Sequence, residues 1–193
     1  MKCAPCPEKK CNEGKDCTGL KAEIRKKYSS DDLKMMKISD ELVKKYYMKK
    51  TRIEELIYFA KKMKYGRLGL AFCIGLRNEA DVLHKILSKD FNVYSAVCKV
   101  CGIDKCEFKA VTGEKNKKAS ISCNPAGQAE MINKKKTDLN ISFGLCLGHD
   151  ILFEKYSQAP VTTLVVKDRV MANNPIGAIY SGYYRTKKFK LKD

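Results

Sequence analysis

The second half of the chain alternates apolar strand-like runs with amphipathic helical segments, and this alternation restricts the fold most. The run at 68–74 is almost continuously apolar, and 161–166 is β-branched except at Leu164, as in strands buried on both faces. We also predict strands at 91–97 and 139–145, weaker strands near 107–111 and 119–122, and helices at 77–88, 125–135 and 149–156. This order predicts an α/β fold, a doubly wound and mostly parallel sheet with helices on both faces.

The segment before residue 65 is polar and has helical periodicity. Thr51 and Glu54 have the spacing of a capping box, and apolar residues follow them at helical intervals. Ser39 with Asp40 predicts an earlier helix start. We therefore expect three parts: a cysteine-rich metal-binding knuckle at 1–18, a helical segment packing on the core at 19–64, and an α/β domain at 65–193.

Ten cysteines occur in the 193 residues, and the N-terminus lacks the apolar stretch of a secretory signal. No run approaches the ~18 apolar residues of a membrane-spanning helix. We therefore predict a cytoplasmic protein without a membrane segment. In a reducing compartment a cysteine cluster more often indicates metal binding or catalysis than disulfides.

The first cysteine group, Cys3, Cys6, Cys11 and Cys17, lies in a segment with almost no apolar residues. Such a segment cannot fold by burying side chains, so a bound metal would supply its folding energy. The sequence predicts a structural metal site here. Zinc and a [4Fe-4S] cluster are both compatible with four cysteines, and zinc is slightly favoured.

The second group follows the predicted strands. Cys98 follows the strand at 91–97, Cys146 ends the strand at 139–145, and Cys123 closes a short strand and precedes a helix. Parallel strands bring their carboxyl ends to one edge, and helix N-termini there stabilise thiolates. The spacing predicts that these three sulfurs share one centre, a [4Fe-4S] cluster or zinc.

Three further cysteines have less certain roles. Cys101 and Cys106 could complete a four-thiolate site or only line the loop after Cys98. Cys73 lies within the apolar run at 68–74, so we expect it in the core rather than on a metal.

Polar residues on the same edge are candidate catalytic or anion-binding groups. Two of them begin a predicted helix, where they could ligate a metal, transfer protons or cap the helix. Three follow the last strand, where they could bind an anionic substrate or form a salt-bridged turn. These residues are His149, Asp150, Lys167, Asp168 and Arg169.

The chain is strongly basic, with 39 Lys and Arg against 22 Asp and Glu and a formal charge of +17. The lysines are scattered in short pairs rather than gathered in one stripe with arginines and aromatics. Nucleic-acid binding is therefore possible but not favoured, and a solvated lysine-rich surface is the simpler interpretation.

Several segments resemble an uncharacterised prokaryotic group of predicted metal-binding proteins, domain-of-unknown-function family 1847. The family pattern often has histidine where this chain has Asn173. The resemblance implies a cytoplasmic metal-binding protein and supplies no activity. The segments that carry it lie at 3–6, 73–80, 98–99, 123–129, 144–150, 159–164, 167–169 and 174–175.

Two functions therefore stand at this point. The first is a metal-binding protein whose second centre, with three cysteine ligands, keeps one position open. An open metal acts as a Lewis acid, as in a non-redox desulfidase or lyase acting on a small or anionic molecule, whereas a fourth cysteine closes it. The alternative is a structural zinc protein whose lysine-rich surface binds nucleic acid.

Overall fold

The computed structural model describes residues 2–108 and 120–191 and forms two compact units, Met1–Lys49 and Lys50–Asp193. The first unit contains helices α1 (Lys21–Arg25) and α2 (Ser30–Tyr46). A capping box starts α2: the Ser29 hydroxyl accepts the Asp32 N–H at 3.1 Å, and the Asp32 carboxylate accepts the Ser29 N–H at 2.8 Å. The predicted helix start at Ser39 is wrong, because this box begins the helix earlier and Ser39 lies inside it.

The second unit begins with the predicted capping box, which is confirmed. The Glu54 carboxylate accepts the Thr51 N–H at 2.8 Å, and helix α3 follows. The further elements, in chain order, are α3 (Arg52–Met63), β1 (Arg67–Phe72), α4 (Arg77–Leu87), β2 (Asn92–Val97), α5 (Pro125–Asn133), β3 (Leu139–Phe143), α6 (His149–Tyr156), β4 (Val161–Val165) and α7 (Ile176–Tyr180).

The four described strands form one sheet in the order β2-β1-β3-β4, and every neighbouring pair is parallel. The predicted α/β fold with a parallel sheet is therefore confirmed. The weaker strands are not formed in the described chain: Ile121 makes an isolated antiparallel bridge with Asp104, and residues 107–108 lie in a 3-10 turn. Residues 109–111 of that prediction lie outside the described residues.

Alternating side chains of the strands enter two separate cores. Leu70 and Ile141 pack with residues of α3 and α4, such as Leu56 and Leu83. The intervening residues belong to a second cluster with α5 and α6, formed by Ala71, Ala96, Ala129, Ile132, Leu145 and Phe153. Helices therefore cover both sides of the sheet, as a doubly wound fold requires. No helix in the described part of the chain is both long and apolar enough to cross a membrane.

Gly69 leaves room in β1 for the side chains that cover it. A Cβ atom at this position would overlap the side chains of Asn140 and Ile132, both buried. We predict that Gly69→Ala lowers the free energy of unfolding by about 1–3 kcal/mol, since overpacking a core forces its neighbours to move. Urea denaturation measures the change. Gly66→Ala is the control, because a Cβ atom there would meet nothing within 4 Å, and equal losses in both variants would contradict the prediction.

Candidate metal centre

The sheet has a topological switch point beside β1. Because β2 and β3 flank β1, the connections from β1 to β2 and from β2 to β3 run in opposite directions, and folds of this order bind ligands in a crevice at the carboxyl ends of β1 and β3. Cys73 is the first residue after β1, and Cys98 is the first after β2. Cys146 lies three residues beyond the end of β3. The fold therefore delivers cysteines from three strands to the edge where such folds bind ligands.

Backbone contacts fix these strand ends against each other. The Cys98 N–H donates to the Phe72 carbonyl at 2.9 Å, and the Cys73 N–H donates to the Phe143 carbonyl at 3.3 Å. The Asn124 N–H donates to the Cys98 carbonyl at 2.8 Å, which brings Cys123 to the end of β2. The cysteine positions are thus set by the ladder of the sheet and by its first loop contacts.

The sulfur atoms share one electrostatic environment. Cys98 is 3% exposed, and burial raises the pKa of its thiol to about 11. The neighbouring thiols of Cys123 and Cys73 add to the rise, while the Ile74 N–H, which donates to Cys98 Sγ at 3.3 Å, opposes it. A cysteine that is buried beside two other thiols stays protonated as long as nothing compensates its charge.

Arg169 connects the fourth thiol to this group. Its guanidinium Nη2 donates to Cys146 Sγ at 3.1 Å, and this hydrogen bond is the largest cause that raises the pKa of Arg169. The thiols of Cys73 and Cys123 also act on the guanidinium. We call Cys73, Cys98, Cys123 and Cys146 the thiol cluster. Among these groups the structure gives one direct side-chain contact, between Arg169 and Cys146, and the meeting of all three predicted cysteines at one centre stays a prediction.

Two amide side chains of α5 hold the frame of the cluster. Asn124 caps the helix, because its side-chain oxygen accepts the Gly127 N–H at 2.8 Å. Gln128 is fully buried, and its Nε2 donates to the carbonyls of Phe72 at 3.2 Å and Ala96 at 2.7 Å. Gln128 therefore connects α5 to the carboxyl ends of β1 and β2, close in sequence to Cys73 and Cys98.

Both predicted aspartates accept hydrogen bonds from nearby backbone N–H groups. Asp168 Oδ1 accepts the N–H groups of Val170 and Met171 at 2.9 and 2.8 Å. Asp150 Oδ1 accepts those of Gly148 and Ile151 at 2.9 and 2.8 Å. Asp168 thus shapes the turn that presents Arg169, and Asp150 caps α6 below Cys146.

The other two predicted polar residues are His149 and Lys167, and among the described residues their side chains form no hydrogen bond with the thiol cluster. His149 and Lys167 are half-buried. The His149 backbone N–H donates to the Cys146 carbonyl at 2.8 Å. Within residues 2–108 and 120–191, neither side chain makes a hydrogen bond or ion pair.

Cys101 and Cys106 are exposed on the loop after β2. The Cys106 N–H donates to Asp104 Oδ1 at 3.0 Å, and the hydrogen bond between the Cys106 thiol and Asp104 raises the pKa of that thiol. Cys101 has a left-handed backbone with φ of 69°. The structure therefore gives these two cysteines a position in the loop, whereas Cys73 occupies the crevice.

Cys73 is buried, as predicted, but the predicted strand extends too far because the apolar run continues past the end of β1. β1 stops at Phe72, so Cys73 begins the loop, and the predicted strand at 68–74 is two residues too long. Gly75 and Arg77 mark the turn, and typical strands have about 5–6 residues. A strand of that length starting at residue 67 or 68 places Cys73 at its carboxyl end.

The N-terminal cysteines Cys3, Cys6, Cys11 and Cys17 are all exposed, as is every residue from 2 to 31. Local contacts shape this segment: Lys9 Nζ donates to the carbonyls of Cys3 and Ala4. Asp16 accepts four hydrogen bonds from Thr18, Gly19 and Lys21, and the Lys21 N–H contributes most to lowering its pKa to about 2. No buried core supports this segment.

The donor atoms decide which cofactors suit the two cysteine groups. All ten cysteines are among the described residues, and all are reduced. In the described chain, no three His, Cys, Asp or Glu side chains stand ready in the geometry of a single bound ion. Thiols are soft ligands that suit zinc and iron–sulfur clusters, so the thiol cluster fits either by its chemistry.

The family model described as "Protein of unknown function (DUF1847)" matches residues 11–164. The chain belongs to this family. It is also 54% identical to "Uncharacterized protein MJ0455" of Methanocaldococcus jannaschii over 194 residues, which covers 100% of both chains. No solved structure matches it. The predicted family membership is confirmed, and the matched segment contains the whole thiol cluster and ends before Arg169.

The raised pKa of Cys98 predicts slow alkylation. With a pKa of about 11, roughly 0.1% of Cys98 is thiolate at about pH 8, against about a quarter of an ordinary cysteine. In folded, metal-free protein, iodoacetamide should therefore modify exposed Cys101 well before Cys98, as peptide mass spectrometry would show. Urea should abolish the difference. Equal rates in the folded protein would contradict the buried, protonated state.

Proposed function

We propose that this protein binds a thiolate-ligated metal centre at the carboxyl edge of its sheet, with the thiol cluster as the ligands. One set of contacts supports the proposal: the Cys98 N–H donates to the Phe72 carbonyl at the end of β1, the Asn124 N–H donates to the Cys98 carbonyl, and Arg169 donates to Cys146 Sγ, so that cysteines of separate segments end at one edge of the sheet. A cytoplasmic location also belongs to this proposal, because a reducing compartment keeps the ten cysteines of the sequence available as metal ligands.

A metal resolves the electrostatic conflict of the crevice. Without one, burial keeps Cys98 protonated far above neutral pH. A bound cation favours the thiolate form, so that metal binding releases protons and stabilises the fold. Four thiolates around a dication leave a charge of about −2. Arg169 offsets part of this charge and donates a hydrogen bond to Cys146 Sγ, and such contacts to a ligating sulfur tune a centre.

Cys73 distinguishes two kinds of chemistry. With Cys73 as a ligand, the centre has four thiolates and is closed, which suits electron transfer or a structural role. Without it, Cys98, Cys123 and Cys146 leave one position open for the Lewis-acid chemistry of a desulfidase or lyase. We favour the closed centre, because Cys73 directly follows β1 and the Cys98 N–H donates to the carbonyl of Phe72, the residue next to Cys73.

Metal analysis of protein purified without oxygen tests the proposal. We expect iron with labile sulfide for a cluster, or zinc alone for a single ion, in addition to any N-terminal metal. Each of the replacements C73S, C98S, C123S and C146S should remove most of the metal of this centre. Iron, sulfide and zinc assays with absorption spectra measure the loss.

The loop cysteines provide the matched controls. C101S and C106S should keep full metal, because both residues are exposed outside the crevice. Retention of full metal by all four cluster variants would overturn the proposed centre. Retention by C73S alone, with loss in the other three, would overturn the closed site and leave the open one.

We further propose a structural metal, preferably zinc, bound by Cys3, Cys6, Cys11 and Cys17. Full exposure of residues 2–31 supports this, since burial does not hold the segment in place. Chelation should therefore increase cleavage by trypsin within residues 2–27 while the sheet unit stays resistant, and added zinc should restore protection. A quadruple serine variant whose cleavage ignores both chelator and zinc is the control. Equal protection with and without metal in the native chain would exclude the site.

A further inference from the structure

The last part of the chain is basic and aromatic, and its only acidic residue is the final Asp193. Residues 169–192 contain six Lys and Arg and no Asp or Glu, in a chain with 22 acidic residues. Its described part consists of α7 and a single turn of π-helix at Tyr184–Lys188. We define the C-terminal surface as Tyr180, Tyr183, Tyr184, Arg185, Lys187, Lys188, Phe189 and Lys190.

The rings of the C-terminal surface face solvent. Tyr180 is 76% exposed, Tyr183 59% and Phe189 54%. The rings of Tyr183 and Phe189 lie in one cluster with Tyr184. Tyr184 contacts Tyr183 edge to face at a centroid distance of 5.6 Å and lies 6.2 Å from Phe189. The surface therefore presents several aromatic faces in a fixed relation, a costly arrangement in water without a ligand to cover them.

The cations of the C-terminal surface are also available. Elsewhere, lysines on helices pair with acidic residues one turn away, as Lys44 does with Asp40 and Lys85 with Asp81. Within the described residues, the four cations Arg185, Lys187, Lys188 and Lys190 pair with no carboxylate. Among the described residues of this segment, a polyanion therefore meets cations that no carboxylate occupies.

We propose that the C-terminal surface binds single-stranded nucleic acid. Such binding combines cations that follow the phosphate backbone with exposed rings on which bases stack, and both are interleaved here. A membrane surface would instead call for a continuous amphipathic helix. Here α7 has five residues, and Ser181, whose backbone is extended, separates it from the helical turns at 182–188. The proposal does not depend on the metal centre.

Fluorescence anisotropy with labelled oligo-dT and oligo-U of about 16 nucleotides tests this proposal, since small single-strand binding modules cover up to about that length. We expect both probes to bind the full-length protein. If all four cations contact phosphates, the logarithm of the binding constant should fall with the logarithm of salt concentration with a slope of about −3. Absence of binding at low salt would overturn the proposal.

Variants separate this surface from the general basicity of the chain. Tyr183→Ala should weaken binding about tenfold, as loss of one stacked base does. K187Q with K188Q should reduce the salt slope by about 1.4. These lysines are exposed, so their replacement keeps the fold, which circular dichroism checks.

The controls lie in the other compact unit. Tyr47 is 70% exposed, and Lys44 and Lys45 pair with Asp40 and Glu41. Y47A and the double variant K44Q/K45Q should leave oligonucleotide binding unchanged. Equal weakening by these controls would assign binding to diffuse charge and overturn the proposal, as would binding to anionic phospholipid vesicles without binding to either oligonucleotide.

Discussion

The parallel pairing of β1 with both β2 and β3 is the constraint on which the rest of this structure depends. It satisfies the backbone hydrogen bonds along both edges of β1 and places β2 and β3 on opposite sides of it. Residues as distant in sequence as Cys73 and Cys146 then meet at one carboxyl edge. Gln128 reinforces the same edge, because its amide bridges the carbonyl groups of β1 and β2. The site is thus a consequence of topology, and no compact sequence motif encodes it.

The thiol cluster has opposite requirements for folding and for chemistry. A buried cysteine packs well when it is neutral, which agrees with the raised pKa of Cys98. A metal ligand must be a thiolate, and several thiolates in one crevice repel each other. Arg169 is the cation that the fold places against this group, held by the turn that Asp168 shapes. The proposed metal would therefore have to convert buried, neutral thiols into thiolates.

Much of this fold could be predicted, because buried parallel strands are apolar throughout and capping boxes are local. Thr51 with Glu54 marked a helix start correctly, since both partners lie three residues apart. The helix start predicted at Ser39 was wrong, because Ser29 and Asp32 form a capping box upstream of it. The end of β1 was placed two residues too late, because an apolar run does not show where the strand's pairing partners stop. The roles of Asp150 and Asp168 depend on turn geometry, so composition alone left them open between catalysis and structure.

The formal charge of +17 is unevenly distributed along the chain. Metal-bound thiolates would lower the charge around the crevice, whereas residues 169–192 contain no acidic residue to lower theirs. At physiological salt, charges beyond about 8 Å are largely screened from each other. Arg169 is the first residue of the basic segment 169–192, but its guanidinium donates a hydrogen bond to Cys146 Sγ. The proposed metal centre depends on the cysteines and Arg169, whereas the proposed polyanion surface depends on the cations of residues 185–190. The two proposals are therefore compatible on one chain.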